Sequence, residues 1–326
     1  MARTPLPLTI ALERYDRHLP FFDGSVAPEG VALTALDVGQ NYGGRHGADR
    51  KHRILAGEFD VGELSLGSYV MLRDRGAPFV AIPVFPRRLF SASRWYVNAA
   101  AGIETPADLI GRRVGLSSYQ TTLSVLAKGD LEAEYGVPWR EIVWVAATAE
   151  PMPFDLPAGV RLERVPPGAR LDALLLEGVI DAVAHPQPPP SIHGGDPRVR
   201  RLFADAPAEE RAYYRRNGYW PAMHVIAFKE PLVRAHPWLP AAFMAAFARA
   251  REIACRYYDD PNWSRLAWGR YYLEDELATF GGDPWRDGLA ANRAYLARFS
   301  AYAHDQGLIR RPLAPEDLFV ESTLDT

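Results

Sequence analysis

The chain has 326 residues, more than one compact core usually holds, so two domains are the default expectation. Apolar residues make up 48% and charged residues 24%, the balance of a folded globular protein rather than of a disordered or membrane-embedded one. A formal net charge of −3 argues against chain-wide affinity for nucleic acid or an anionic membrane, and no apolar run approaches the ~20 residues of a membrane span.

Short apolar runs alternate with helical patterns, the signature of an α/β fold. LTIAL (8–12) and VALTAL (31–36) read as strands, followed by a helix over 44–56. FDVGELS (59–65) and FVAIPVF (79–85) are strands on either side of a helix at 67–74. After the strand WYVN (95–98), the stretch TPADLI reads as a helix start, with Thr105 as cap and Pro106 in the first helical position. RVGLS (113–117) is a strand that feeds a helix from Gln120 to Tyr135, which Gly136 can end in a left-handed conformation. EIVWVA (141–146), VRLERV (160–165) and VIDAVA (179–184) are further strands, and the Pro-rich HPQPPPSIHGG (185–195) is a rigid loop. YYRR (213–216) closes a helix stopped by Asn217 and Gly218, and PAMH (221–224) begins a strand. Beyond it, Leu239, Phe243, Phe247, Ala250, Ala254 and Tyr257 fall at spacings of three and four, one face of a long amphipathic helix. A second long helix fits 286–306, with Leu289, Leu296, Phe299 and Ala303 on one side and Gly307 beyond its end.

Two strand–helix junctions, ELSLGSY (63–69) and LSSYQTT (116–122), are rich in small polar residues. Open α/β sheets bind ligands beyond the carboxyl ends of their strands, and helix N-termini attract anions. Ser65, Ser68, Ser117 and Thr121 are therefore either anion-binding groups or plain helix caps. Phosphate-binding glycine motifs, H-E-x-x-H and G-x-S-x-G are all missing from the sequence. His46 and His52 stand six apart and cannot share a helix face, so no metal site is expected. The single cysteine, Cys255, cannot form an internal disulfide and is expected as a small buried residue of a helix. The N-terminal MARTPLPLTIALERYDR lacks a long apolar segment and a cleavage site, which makes a cytoplasmic location the expectation. What remains is arginines, tyrosines, a few carboxylates and histidines. That set suits a small anionic, aromatic ligand and the movement of one proton.

YDR (15–17), EFDVGELSLGSY (58–69), FVAIPVFPRR (79–88), GLSSYQTT (115–122), AYYRRNGYWPAMH (212–224) and PEDLF (315–319) together resemble the 4,5-dihydroxyphthalate decarboxylase family over almost the whole chain. The resemblance implies an α/β fold of the type II periplasmic-binding-protein kind: two lobes, a central cleft and a two-strand hinge. Residues 1–92 plus 223–326 would form lobe one, with a helical C-terminal part, and 93–222 an inserted lobe two. It also implies decarboxylation of a small aromatic carboxylate with no cofactor, because a hydroxylated ring is its own electron sink. Homo-oligomerisation is left open.

Within that frame His224, on the returning hinge strand, is expected to carry the proton and Glu63 to accept one from a phenol. Arg17 and Arg88 are the expected carboxylate anchors, since the guanidinium fork matches a carboxylate. Arg87 on an extended chain would point away from Arg88. Arg215 is preferred over Arg216, because neighbours on a helix are about 100° apart and only one can face a cleft. Tyr119, Gln120 and Thr121 would add donors from lobe two. Two stretches depart from the family pattern, Ser91–Ser93 after FPRRLF and the AHPQ run at 184–187, which leaves a different substrate or reaction open. A non-catalytic solute-binding or sensor protein, or another lyase, would fit the same fold, because fold does not fix function.

Overall fold

The computed structural model describes residues 4–38, 53–166 and 168–326. The expected helix at 44–56, with His46 and His52, lies outside the described residues apart from one turn at 53–55. Four strands come first: β1 (Leu6–Leu12), β2 (Val31–Asp37), β3 (Val61–Ser65) and β4 (Phe79–Ile82). The next six are β5 (Trp95–Asn98), β6 (Arg113–Leu116), β7 (Val143–Ala146), β8 (Arg161–Arg164), β9 (Ala182–Ala184) and β10 (Val199–Arg201), and β11 (His224–Lys229) is the last.

They form two separate sheets, ordered β2-β1-β3-β11-β4 and β10-β5-β9-β6-β7-β8. β1 runs parallel to β2 and β3, and the late strand β11 inserts antiparallel between β3 and β4. In the second sheet β9, β6, β7 and β8 are parallel neighbours, edged by antiparallel β5 and β10. The chain passes between the sheets twice, after β4 and before β11. The two crossing segments bind each other. Arg88 bridges Ala222, the Leu89 N–H donates to the Pro221 carbonyl at 3.1 Å and the Met223 N–H to the Arg87 carbonyl at 2.7 Å. This is the architecture of a two-lobed binding-protein fold with a two-strand hinge.

The six longest helices among the described residues are α1 (Leu66–Asp74), α2 (Thr122–Tyr135), α3 (Ala206–Asn217), α4 (Leu239–Tyr257), α5 (Gly269–Phe280) and α6 (Leu289–Asp305). α4 buries Leu239, Phe243, Phe247 and Ala250 against a core that contains Ile10, Val61 and Phe228, and Ala254 further along the same stripe is buried as well. Each fully buried phenylalanine there is worth about 1.5–3 kcal/mol. Cys255 is exposed, contrary to expectation, because it stands one position past Ala254 and so rotates off the buried stripe. α6 buries Leu289, Tyr295, Leu296, Phe299 and Ala303. TPADLI forms only a 3-10 turn, Pro106–Leu109, at whose start the Asp108 carboxylate accepts from the Thr105 N–H at 2.8 Å and the Thr105 hydroxyl at 2.9 Å. Among the described residues, no helix is long and apolar enough to cross a membrane.

α2 meets α6 and the hinge around Asp130, which is buried. Ser91 Oγ donates to its Oδ2 at 2.6 Å, and the Tyr302 hydroxyl lies 3.4 Å from its Oδ1. Burial pushes the Asp130 carboxyl up to about 7, against the pull of the Ser91 hydroxyl and with Glu134 adding to the rise. Ser91, one of the residues that departs from the family pattern, is thus spent on this internal junction.

Candidate active site

The two strand–helix junctions singled out in the sequence touch. Ser65 ends β3 and Thr122 begins α2, and their hydroxyl oxygens are 2.7 Å apart. Thr122 Oγ1 donates to the Met223 carbonyl at 3.0 Å and accepts from the Gly67 N–H at 2.9 Å. A hydroxyl has one proton, so Ser65 is the donor in the pair. The Leu66 N–H also reaches the Met223 carbonyl, at 2.9 Å. One threonine from the second sheet's helix therefore ties together the start of α1 and the hinge segment that enters β11. The contact requires Gly67, since a Cβ there would lie 2.7 Å from the Gln120 carbonyl oxygen.

Strand register assembles the central pair. His224 stands opposite Ser65 and Ile226 opposite Glu63, which puts Glu63, Ser65 and His224 on one face of the sheet. His224 Nδ1 hydrogen-bonds Glu63 Oε1, and Glu63 Oε2 accepts the Glu13 N–H at 3.1 Å. Both side chains are buried, with 1% of Glu63 and 4% of His224 exposed. A carboxylate at Nδ1 holds the proton on that nitrogen and stabilises the imidazolium, which leaves Nε2 as the atom that can give or take a proton. Close by, the His18 ring donates from Nδ1 to the Glu13 carbonyl at 2.7 Å.

Arg17 faces this pair closely enough for the charge of Glu63 to act on it. Burial lowers its pKa, and Asp16, Tyr15 and Glu63 oppose the change. Its guanidinium lies over the rings of Trp285 (3.8 Å) and Tyr15 (4.2 Å), and its Nε donates to the Pro86 carbonyl at 2.9 Å. Several of its donors are thus engaged, in a setting that fixes the group rigidly.

Other expected residues are placed differently. Arg88 is buried and donates to the carbonyls of Trp220 and Arg286, each at 2.6 Å, and to Asn292 Oδ1 at 2.8 Å. It braces the hinge rather than waiting for a carboxylate, and burial depresses it to about 10. Arg215 is exposed on α3, while Arg216 pairs with Glu134 at 3.0 Å, because the buried side of that helix end carries Tyr213. The Tyr119 ring is fully buried, stacked on Phe154, with Lys128 Nζ 3.1 Å from its centroid. Gln120 is buried and its side chain holds the backbone of Met152. The backbone donors of this loop are also taken. The N–H groups of Tyr119 and Gln120 donate to the Glu150 carboxylate, at 2.7 and 3.1 Å. The chain thus supplies its own anion at that helix start. Thr121 caps α2, accepting from the Ser124 N–H at 3.3 Å. Ser68 is buried in the first turn of α1, and Ser117 is half-buried just past β6.

Two residues were passed over in the sequence. His185 directly follows β9, at the carboxyl end of a parallel strand, and its Nδ1 lies 2.9 Å from the Gln187 carbonyl. Burial lowers its pKa, and Arg87 across the hinge lowers it further. Arg87 itself is half-buried, on the side of the hinge segment opposite Arg88, and its carbonyl also accepts the His224 N–H. The strand-end rule that pointed to Ser65 and Ser117 applies equally to VIDAVA-His185, and would have found it. Among the described residues, no group of three or more His, Cys, Asp or Glu could hold a metal ion.

Comparison with known proteins sharpens the picture. A family model described as "NMT1/THI5 like" matches residues 35–138. The 4,5-dihydroxyphthalate decarboxylase of Comamonas testosteroni is 35% identical over 334 aligned positions, covering 98% of both chains. The enzyme of the same name from Pseudomonas putida is 33% identical over 232 positions, covering 67% of this chain and 87% of its own. Among solved structures, the periplasmic aliphatic sulphonate binding protein SsuA from Escherichia coli superposes with a TM-score of 0.57 at 14% identity, covering 99% of this chain and 100% of its own. The desulfurization enzyme DSZB superposes with a TM-score of 0.53 at 14% identity, covering 98% of each chain. At such identities the structural likeness speaks for the fold alone.

Proposed function

The chain belongs to the 4,5-dihydroxyphthalate decarboxylase family and is a carboxy-lyase, and from that premise we propose that it removes one carboxylate from a catechol dicarboxylate of the 4,5-dihydroxyphthalate type, with His224 as proton carrier. The buried hydrogen bond between His224 Nδ1 and Glu63, at the carboxyl end of β3, is the observation that carries this reading. A decarboxylase of a hydroxylated ring must deliver a proton to the carbon that loses carbon dioxide. A histidine whose other nitrogen is held by a carboxylate is suited to that step.

In the proposed sequence, the phenol para to the departing carboxylate gives its proton to solvent. The resulting phenolate pushes electron density to that ring carbon, which takes a proton from Nε2 of the His224 imidazolium, and a solvent proton later restores the imidazolium. The carbon–carboxylate bond then breaks, its electron pair restores the aromatic ring, and carbon dioxide leaves. A solvent proton returns the product phenolate to the phenol, giving 3,4-dihydroxybenzoate. Glu63 acts through His224 by holding its tautomer and balancing the imidazolium charge. The ring accepts the electrons itself, so the reading requires no cofactor.

We assign the retained carboxylate to Arg87 and Arg17 on one side, with His185 opposite. Arg88, already engaged in the hinge, drops out of this role. Incubation of the purified protein with 4,5-dihydroxyphthalate should release carbon dioxide and 3,4-dihydroxybenzoate, and His224→Ala should lower kcat by about 100-fold or more. Full turnover by that variant would remove histidine from the mechanism, and absence of turnover by the parent protein would remove the substrate.

A further inference from the structure

A second site lies away from the Glu63–His224 pair, on the outer side of the hinge. A cavity of about 260 Å³ opens between α3 and α5, next to the crossing segments. Its wall is aromatic. Phe90 and Trp220 are stacked with centroids 6.0 Å apart and an interplanar angle of 20°, and Phe280 continues the wall 6.4 Å from Phe90. Tyr214 turns a corner against Phe280, at 4.5 Å and 63°.

The charges of the lining are unbalanced. Glu210, Asp275 and Glu276 face one arginine, Arg211. Arg211 pairs with Asp275, and Glu210 accepts the Ser93 N–H at 2.9 Å. Glu276 has no ion-pair partner among the described residues, and burial raises its pKa, with Asp283 and Asp275 adding to the rise. Electron-rich ring faces beside a lone carboxylate attract a cation, and most strongly one that sheds water easily.

We propose that this cavity binds a small organic ammonium ion, with the cation against the aromatic wall and Glu276. The site bridges α3, which follows the second sheet, and α5, which follows the first, so its ligand would sit across the hinge.

Choline is a suitable probe, and 3,3-dimethylbutan-1-ol is its neutral counterpart, with the same shape and hydroxyl. Titration of the full chain, followed by tryptophan fluorescence and ligand-observed NMR, should show saturable choline binding about tenfold tighter than that of the alcohol. Glu276→Gln, a near-isosteric change at a half-buried residue of α5, should erase most of that preference. Saturating 4,5-dihydroxyphthalate should leave choline binding unchanged, whether or not the protein turns that acid over. Equal affinity for the two probes, no saturable binding of either, an undiminished preference in Glu276→Gln, or displacement of choline by the aromatic acid would each overturn the proposal.

Discussion

The contact that draws the two sheets together rests on a glycine, and replacing it tests whether that contact matters for catalysis. In Gly67→Ala the new Cβ would lie 2.7 Å from the Gln120 carbonyl oxygen and 3.2 Å from the Thr122 nitrogen. Both are backbone atoms, so relief requires α1 and the 120–122 segment to move apart. That motion stretches two hydrogen bonds of Thr122 Oγ1, to Ser65 Oγ at 2.7 Å and to the Gly67 N–H at 2.9 Å. Losing them costs about 1–3 kcal/mol together, and overpacking adds about 1–3 kcal/mol. Alanine regains at most about 1 kcal/mol of helix propensity. The net penalty on the closed arrangement is therefore on the order of 1–6 kcal/mol. If catalysis needs that arrangement, kcat/KM for 4,5-dihydroxyphthalate falls by about tenfold or more. Gly194→Ala is the control, because its Cβ would meet neighbours only at 3.5 Å and beyond. A Gly67→Ala enzyme with unchanged Tm and with kcat/KM within about twofold of the parent would refute the reasoning.

Two further substitutions separate binding from stability. His185→Ala should raise KM by about tenfold while changing kcat by less than about threefold, since a group that only holds the retained carboxylate acts on ground and transition states alike; a lower kcat at constant KM would sink that role. Asp130→Asn addresses pH dependence. The folded-state pKa of Asp130 is raised to about 7 from 3.8, so between those values the folded protein holds a proton that the unfolded chain has released. Its contribution therefore favours the fold at low pH and is lost as pH rises toward 7, by at most about 4 kcal/mol. In Asp130→Asn the fall in Tm between pH 5 and pH 8 should shrink, and an unaltered pH profile would show that the carboxyl is not the group responsible.

Local pattern carried most of the fold. The apolar stripe of α4 and the cap at Gly136 are set by neighbours within a few residues, and both stand where spacing put them. α5 was not foreseen, and the reason is physical: it buries none of its residues, so its sequence bears no stripe to read. The site was legible by residue type but not by orientation. Arg87 and Arg88 are adjacent and chemically alike. Only the tertiary fold reveals that Arg88 faces Asn292 and the Arg286 carbonyl and is engaged there. Likewise nothing local to LSSYQTT announces that Glu150, thirty residues on, fills the loop's backbone donors.

The Glu63–His224 pair shows what local pattern cannot supply. The two residues are separated by 161 positions, and neither stretch contains a sign of the other. They meet because β11, after the whole second sheet has been built, returns antiparallel beside β3 in a register that sets His224 against Ser65. A slip of one residue would turn His224 to the opposite face of the sheet and break the pair. Binding an anion on such a scaffold needs only fixed donors at strand and helix ends, and no histidine. Decarboxylation needs in addition a proton carrier whose charge changes are balanced out of water. On the proposed reading, the returning strand brings one, His224, to the same edge and buries it against Glu63. The register of one late strand is then where a binding scaffold acquires the means to do chemistry, and His224 with Glu63, rather than the surrounding arginines, is where the catalytic reading stands or falls.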